Sequence, residues 1–239
     1  MEELIDNNNN SYSAELSRVF FRNVYTYMFG ALGISGILAY MVGTNEYMFS
    51  QLFFNAEGTG LSPLFWIIAF APLGIGMLIQ WAYERLSMGF LLALFIVYSG
   101  LMGLSLSSIF IVYDMGAIAS TFFVAAGAFA GMAIIGYTTK TDLTKFGSLL
   151  YMVFIGMFIA GIVNIFIGSD SMGFIIACLG VFVFTGLTAY QMQQLKAVSM
   201  QPNLSEEERN KLSLIGGLQL YILFVNLFLS LLRILGSRD

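Results

Sequence analysis

The sequence is a succession of apolar runs, each close to the length that crosses a bilayer and nearly free of charged side chains. A span needs roughly 20 apolar residues, and a helix is the shape in which such a run satisfies its own backbone hydrogen bonds. Charged residues make up 10% of the chain, against about 25% in soluble domains. The runs therefore predict an all-α integral membrane protein with about seven transmembrane helices. The predicted spans are Val24–Val42, Leu64–Ala82, Gly89–Tyr113, Gly116–Tyr137, Gly147–Ile167, Met172–Tyr190 and Ser213–Leu235.

The basic residues predict how these helices are oriented. Lys and Arg gather in the N-terminal segment and in the loops after the even-numbered spans, whereas the loops after spans one, three and five have none. Because cytoplasmic loops carry the excess of Lys and Arg, we expect a multi-pass protein of the plasma (inner) membrane with its N-terminus in the cytoplasm. Residues 1–22 are then a polar cytoplasmic tail and residues 23–239 a seven-helix transmembrane domain. A re-entrant last helix is the alternative, since it would bring Arg233 and Arg238 to the same side.

The sequence lacks the residues that several classes of function require. The sequence has no His, and its single cysteine, Cys178, lies in an apolar run. No span carries the lysine or the pair of carboxylates that intramembrane chemistry would use. We therefore predict no catalytic residues, no metal site, no cofactor and no enzyme activity. The net charge of −4 and the lack of a basic cluster argue against nucleic acid as a partner.

One face of the last predicted helix is polar. Gln219, Asn226, Ser230 and Arg233 fall within a stripe about 60° wide on a helix, and Leu223 interrupts this stripe. Polar groups in a span normally face the bundle interior or water, so the stripe is a candidate lining of a conduction path. The alternative is that its amides only join helices, at about 0.6 kcal/mol for each hydrogen bond.

Other polar and small residues have simpler interpretations. Asn164, Thr185 and Thr188 are predicted to be embedded, and Glu84 with Arg85 to form an interfacial pair. Asp114 and Asp170 are predicted to start the helices that follow them. Small residues four apart predict seams where helix backbones approach closely; they are Ser99, Gly103 and Ser107 in one span and Gly127 and Gly131 in the next.

The C-terminal third carries recognisable motifs. They are Phe-Thr-Gly-Leu-Thr-Ala-Tyr at 184–190 with Gln193, Leu-Tyr at 220–221, Asn-Leu-Phe at 226–228 and Leu-Leu-Arg at 231–233, with Gly-Tyr-Thr-Thr-Lys at 136–140, Asp-Leu at 142–143 and Asn-Ile-Phe at 164–166. With these motifs the chain resembles the prokaryotic branch of the Bax inhibitor-1 family, the transmembrane Bax inhibitor motif proteins, from about Arg22 to Arg238.

The resemblance implies a seven-helix bundle with the last helix at its centre and a calcium leak tuned by pH. In such relatives two aspartates form the pH sensor, one after the Tyr that closes span six and one between the Leu-Tyr and Asn-Leu-Phe motifs. This chain has Gln191 and Leu223 at those positions, and neither side chain titrates. Arg85 is the nearest candidate for the basic residue that partners the pair.

Two hypotheses follow from these residues. The first is a leak, with calcium as the transported ion, that lacks the two-aspartate pH sensor. The second is a non-transporting regulator of stress response or membrane-protein quality control, which acts through membrane-protein partners in the lipid bilayer.

Overall fold

The computed structural model describes residues 2–55 and 60–236, with side chains from Glu15 onward. Throughout these residues the regular structure is helical. The helices are α1 (Glu2–Gly43), α2 (Glu46–Phe53), α3 (Pro63–Ala82), α4 (Met88–Leu106), α5 (Ile109–Val112), α6 (Met115–Thr138), α7 (Thr144–Ile167), α8 (Asp170–Ser199) and α9 (Glu206–Leu235).

Seven helical segments in the described residues are long and apolar enough to cross a membrane, with α4 and α5 together forming one of them. Each contains or closely overlaps one predicted span, which confirms the all-α membrane fold. The most apolar windows of α8 and α9 are 50% buried, whereas that of α7 is 11% buried. The last helix is thus one of the two most enclosed spans.

Several helices, α3 and α6 among them, begin at a residue whose side chain caps the first turn. Ser62 accepts a hydrogen bond from the Phe65 amide, 3.1 Å away, and Pro63 occupies the first helical position of α3. Asp114 accepts from the amides of Gly116 and Ala117, at 2.7 and 3.0 Å, which confirms its predicted capping role.

Asp170 is the first residue of α8, as predicted, but the capping residue is the one before it. Ser169 is the cap of α8, because its hydroxyl accepts from the Met172 amide at 3.3 Å, and Asp170 follows it in the first turn. Just before it, Gly168 ends α7 with φ +68°, a left-handed conformation that glycine adopts without strain.

Three helices are longer than their apolar runs. The first begins at Glu2 rather than at Val24, α8 continues to Ser199, and α9 begins at Glu206 rather than at Ser213. Within the segment predicted as a polar tail, Ser17 and Phe20 are buried. Apolar length measures what a bilayer accepts, whereas a helix continues through Glu, Lys and Gln because these residues also favour it.

The start of α9 shows why it is so long. The Ser205 hydroxyl accepts from the Glu208 amide at 3.2 Å, and the Glu208 carboxylate accepts from the Ser205 amide at 2.9 Å. This reciprocal pair is a capping box, which satisfies two otherwise unpaired amides. The polar segment from Glu206 to Leu212 is therefore continuous with the predicted last span.

The helices form two compact units. The first contains α1–α5 and the start of α9, up to Leu218; the second contains α6–α8 and α9 from Gln219 onward. In the first unit the Ser35 hydroxyl donates to the Ser99 carbonyl oxygen at 3.0 Å. A methyl group on Gly103 would lie 2.8 Å from the Ser35 Cα. The predicted seam on this span is confirmed, since Ser99 and Ser107 are fully buried.

In the second unit the close helix contact is not at the predicted glycines. Gly127 and Gly131 of α6 have nothing within 4 Å of an added methyl group, so the seam predicted there was wrong for the described chain. Gly136 makes the contact instead, because a methyl group on it would lie 2.6 Å from the Ala189 Cα. Spacing alone does not tell which glycines of a helix meet a neighbour.

Candidate functional site

The polar stripe of α9 begins with a pair of amides in the second unit. The Gln191 side chain of α8 donates to the Gln219 side-chain oxygen of α9 at 2.5 Å. Gln191 is 8% exposed, so this hydrogen bond satisfies an amide that would otherwise be costly to bury. The structure thus joins one predicted stripe residue to one of the positions where the resemblance implies an aspartate.

The second such position lies one turn further along α9. Leu223 is 8% exposed, and it separates Gln219 from the rest of the stripe. Both resemblance-implied positions are therefore buried and uncharged, one in an amide pair and one with an apolar side chain.

Beyond Leu223 the stripe residues bond back onto their own helix. Asn226 donates to the Ile222 carbonyl oxygen and Ser230 donates to the Asn226 carbonyl oxygen, each at 2.8 Å. Both side chains are half-buried, and Arg233 at the end of the stripe is exposed. These two hydrogen bonds stay within α9 and do not join helices, so each side-chain oxygen still has lone pairs that can accept a hydrogen bond.

Two glycines of α8 leave space for the polar side chains at this end of the stripe. An added methyl group on Gly180 would overlap the Ser230 hydroxyl, and one on Gly173 would overlap the Arg233 guanidinium. Alanine at either place would push a polar side chain of α9 aside. The notch at Gly180 therefore sets where Ser230 lies against α8.

The remaining predicted polar residues lie apart from the stripe or cap helices. Asn164 accepts from the Ser169 amide at 3.2 Å, so it closes the end of α7. Thr185 and Thr188 donate to the carbonyl oxygens of Val181 and Phe184 in their own helix, at 2.6 and 2.7 Å.

The pair expected at the end of α3 takes a different form. Glu84 accepts from the Tyr83 hydroxyl at 3.2 Å, and no ion pair joins it to Arg85 in the part of the chain that the structure describes. Adjacent residues do not face each other on a helical turn, which accounts for the separation. An ion pair does link Lys211 to Glu207 at 2.9 Å, one turn apart in α9.

Two further residues of α8 hold the turn between α6 and α7, and no sequence pattern predicted a partner for either of them. The Gln193 amide group donates to the Thr141 carbonyl oxygen and accepts from the Leu143 amide, both at 2.8 Å. Lys196 donates to the Tyr137 carbonyl oxygen at 2.8 Å and lies 4.8 Å from the centre of its ring. Gln193 stood in a recognisable motif, but its partners lie about fifty residues earlier, beyond the reach of any local pattern.

A local hydrogen bond also stabilises this turn. The Thr144 amide donates to the Asp142 carboxylate at 2.9 Å. Hydrogen bonds from Thr144 hold the pKa of Asp142 below its usual value, with Lys145 adding a smaller effect. Asp142 is therefore ionised throughout the neutral range, and it supports the first turn of α7 there.

Replacing Gln193 by alanine is expected to loosen this turn. The loss of two hydrogen bonds should lower the free energy of unfolding by about 1–2 kcal/mol and speed amide hydrogen exchange at Leu143. Gln194→Ala is the matched control, since no hydrogen bond of its side chain is seen in the described chain. Equal exchange rates at Leu143 in both variants would show that Gln193 does not hold the turn.

No group of three metal-ligating His, Cys, Asp or Glu side chains occurs in the described ranges. The oxygens along the stripe come from amides, a hydroxyl and the backbone. Calcium binds through oxygen and usually includes carboxylates among its six to eight ligands. The oxygens of the stripe are thus neutral, and the stripe includes no carboxylate of the kind that calcium sites usually use.

Long apolar helices, which approach closely at glycines and carry a polar stripe on the last helix, define a multi-pass α-helical membrane protein. Residues 17–239 match the family described as Inhibitor of apoptosis-promoting Bax1 (Bax1-I), and the chain therefore belongs to the Bax inhibitor-1 family. It is 40% identical over 219 residues to a protein of Borreliella burgdorferi, with 92% of each chain covered. It is 39% identical over 223 residues to the inner membrane protein YbhL of Escherichia coli, again with 92% of each chain covered. These matches confirm the resemblance drawn from the C-terminal motifs.

Proposed function

We propose that this protein is a cation leak of the inner membrane, with its N-terminus in the cytoplasm, whose conductance does not depend on pH in the neutral range. Calcium is the cation we expect it to pass. The amide pair of Gln191 and Gln219 is the observation that carries this proposal. It occupies a position where the resemblance implies a titrating carboxyl, and amides neither gain nor lose a proton there.

The other charged and titratable groups of the second unit support the same conclusion. Those on the helices of this unit are Tyr137, Lys145, Tyr151, Asp170, Cys178, Tyr190, Lys196, Tyr221 and Arg233. Histidine, the side chain whose ordinary pKa lies in the neutral range, is absent from the sequence. Cys178 is exposed and is not part of the buried amide pair.

The amides and hydroxyl of the stripe support cation passage in particular. A path lined by neutral oxygen atoms can replace part of a cation's hydration shell without binding the ion tightly, and this balance is what conduction requires. Arg233 at one end of the stripe supplies a positive charge that keeps occupancy low. Selectivity would then come from oxygen dipoles and path width, not from a carboxylate.

The purified protein, reconstituted in liposomes that hold a calcium-sensitive dye, tests this proposal. We expect a calcium influx above that of empty liposomes, with the same rate from about pH 6 to about pH 8, since no neutral-range group lines the stripe. An influx that rises or falls severalfold across this range would refute pH independence.

An influx equal to that of empty liposomes, from protein that elutes as a single folded species, would refute the leak. It would favour the regulator hypothesis, which a pull-down from membranes would then examine.

A further inference from the structure

The contacts between α8 and α9 fix their register in the second unit. Gln191 pairs with Gln219, and Gly180 lies against Ser230. The two helices are antiparallel, because the later residue of α8 meets the earlier residue of α9. Both pairs have the same sum of residue numbers, so equal steps inward from either pair reach facing positions, at roughly 1.5 Å per residue on each helix.

This register brings two leucines to the same level. Four residues before Gln191 is Leu187, and four residues after Gln219 is Leu223. Leu187 is 2% exposed and Leu223 is 8% exposed. Between the Gln191–Gln219 and Gly180–Ser230 contacts, this level has an apolar side chain on both helices, whereas the next facing pair joins the apolar Phe184 to the polar Asn226.

The two sides of the leucine level differ from it in polarity. On one side lies the amide pair, and on the other lie Asn226, Ser230 and Arg233. The notch at Gly180 admits the Ser230 hydroxyl, but α8 has a full leucine side chain at 187. Two polar segments of the same seam are thus divided by about one helical turn of packed hydrocarbon.

We propose that Leu187 and Leu223 form an apolar gate, which keeps water and cations from passing along the α8–α9 seam in the resting protein. This inference rests on the proposed leak and names the residues that limit it. A hydrophobic constriction holds ions back because it dewets, and an ion would have to shed its hydration shell to cross it. Because neither leucine side chain titrates, this gate opens when the two helices separate at this level and not in response to a change in pH.

The first test measures water access and does not require conduction. In a Cys178→Ala background, Asn226→Cys places a thiol on one side of the leucine level. A charged, membrane-impermeant methanethiosulfonate reagent is applied to right-side-out and to inside-out vesicles. We expect reaction from one face only, and from both faces after Leu223→Ser is added. Leu223→Met, which keeps an apolar side chain of similar size, should leave the reaction one-sided.

The second test measures flux in calcium-dye liposomes. Leu223→Ser should raise calcium influx severalfold, equally at about pH 6 and about pH 8, because serine does not titrate there. Leu187→Ser, on the facing helix, should do the same, and it replaces Leu223→Ser if that variant fails to elute as a folded species. Leu223→Met should match the wild type.

The outcomes separate the gate from the leak. A silent wild type with a conducting serine variant supports the gate and refutes the leak. A conducting wild type whose flux and one-sided labelling do not change in either serine variant refutes the gate and leaves the leak standing. If a thiol at position 226 reacts from neither face, even with serine at 187 or 223, then water does not reach the seam and the gate proposal is overturned.

Discussion

Replacing Gly136 by alanine is expected to lower the thermal stability of the protein more than any other single methyl group added to α6. The added carbon would lie 2.6 Å from the Ala189 Cα and closer still to its carbonyl oxygen. These are backbone atoms, which cannot rotate away as a side chain can, so α6 and α8 must move apart. Overpacking typically costs 1–3 kcal/mol, and a backbone clash should reach about 3 kcal/mol, or roughly 10 °C in the midpoint of thermal unfolding.

The same helix provides the control. Gly131→Ala adds the same group where nothing lies within 4 Å, and alanine favours a helix over glycine by up to about 1 kcal/mol. Its midpoint should be unchanged or slightly higher. Thermal unfolding in detergent, followed by the loss of the monodisperse elution peak, measures both variants. Similar midpoints for the two variants would show that the Gly136–Ala189 approach is not tight.

Introducing aspartate at both 191 and 223 is expected to make the leak depend on pH. Position 191 faces Gln219, one helical turn from position 223, and both positions are buried. The charge on one carboxyl and the loss of water there would both raise the pKa of the other. While the second carboxyl is protonated, the two helices stay close together. As pH rises through that raised pKa, the second charge appears, the helices are pushed apart and cations are attracted. Calcium influx should therefore be severalfold greater at about pH 8 than at about pH 6. The influx of the wild type should not change over the same range.

The Gln191→Asn, Leu223→Asn double variant is the matched control. Asparagine has nearly the shape of aspartate but does not titrate, so its influx should not vary with pH. A folded aspartate double variant with a flat pH profile would mean that residues 191 and 223 lie away from the path, whatever the wild type conducts.

The spans could be predicted from sequence because lipid allows few solutions. A run such as Leu64–Ala82 must bury its backbone polar groups in a helix, and α3 covers it. The helix ends outside the apolar runs were harder, since hydrophobicity falls at Tyr190 while α8 continues to Ser199. Propensity and capping decide those ends, as the Ser205–Glu208 box does for α9.

The stripe could also be read from helical periodicity, but its partners could not. Periodicity places Gln219 and Asn226 on one face of a helix; it does not say which residue of another helix stands opposite. Gln191 meets Gln219 rather than residue 223. Gln193 reaches Thr141 because the register of α8 against α6 is set by backbone contacts such as Gly136–Ala189. Those contacts depend on which glycines meet a neighbour, and glycine spacing alone predicted the wrong pair on α6.

The turn between α7 and α8 bears on how the chain is made. Only Gly168 and Ser169 separate these two helices, and the left-handed glycine, the Ser169 cap and the Asn164 side chain use local hydrogen bonds to close it. During synthesis, α7 and α8 can therefore enter the bilayer together as a preformed hairpin. The tip of this hairpin carries one carboxylate, Asp170, and no basic residue. In the proposed orientation, with the N-terminus in the cytoplasm, little polar chain would then have to cross ahead of the two helices.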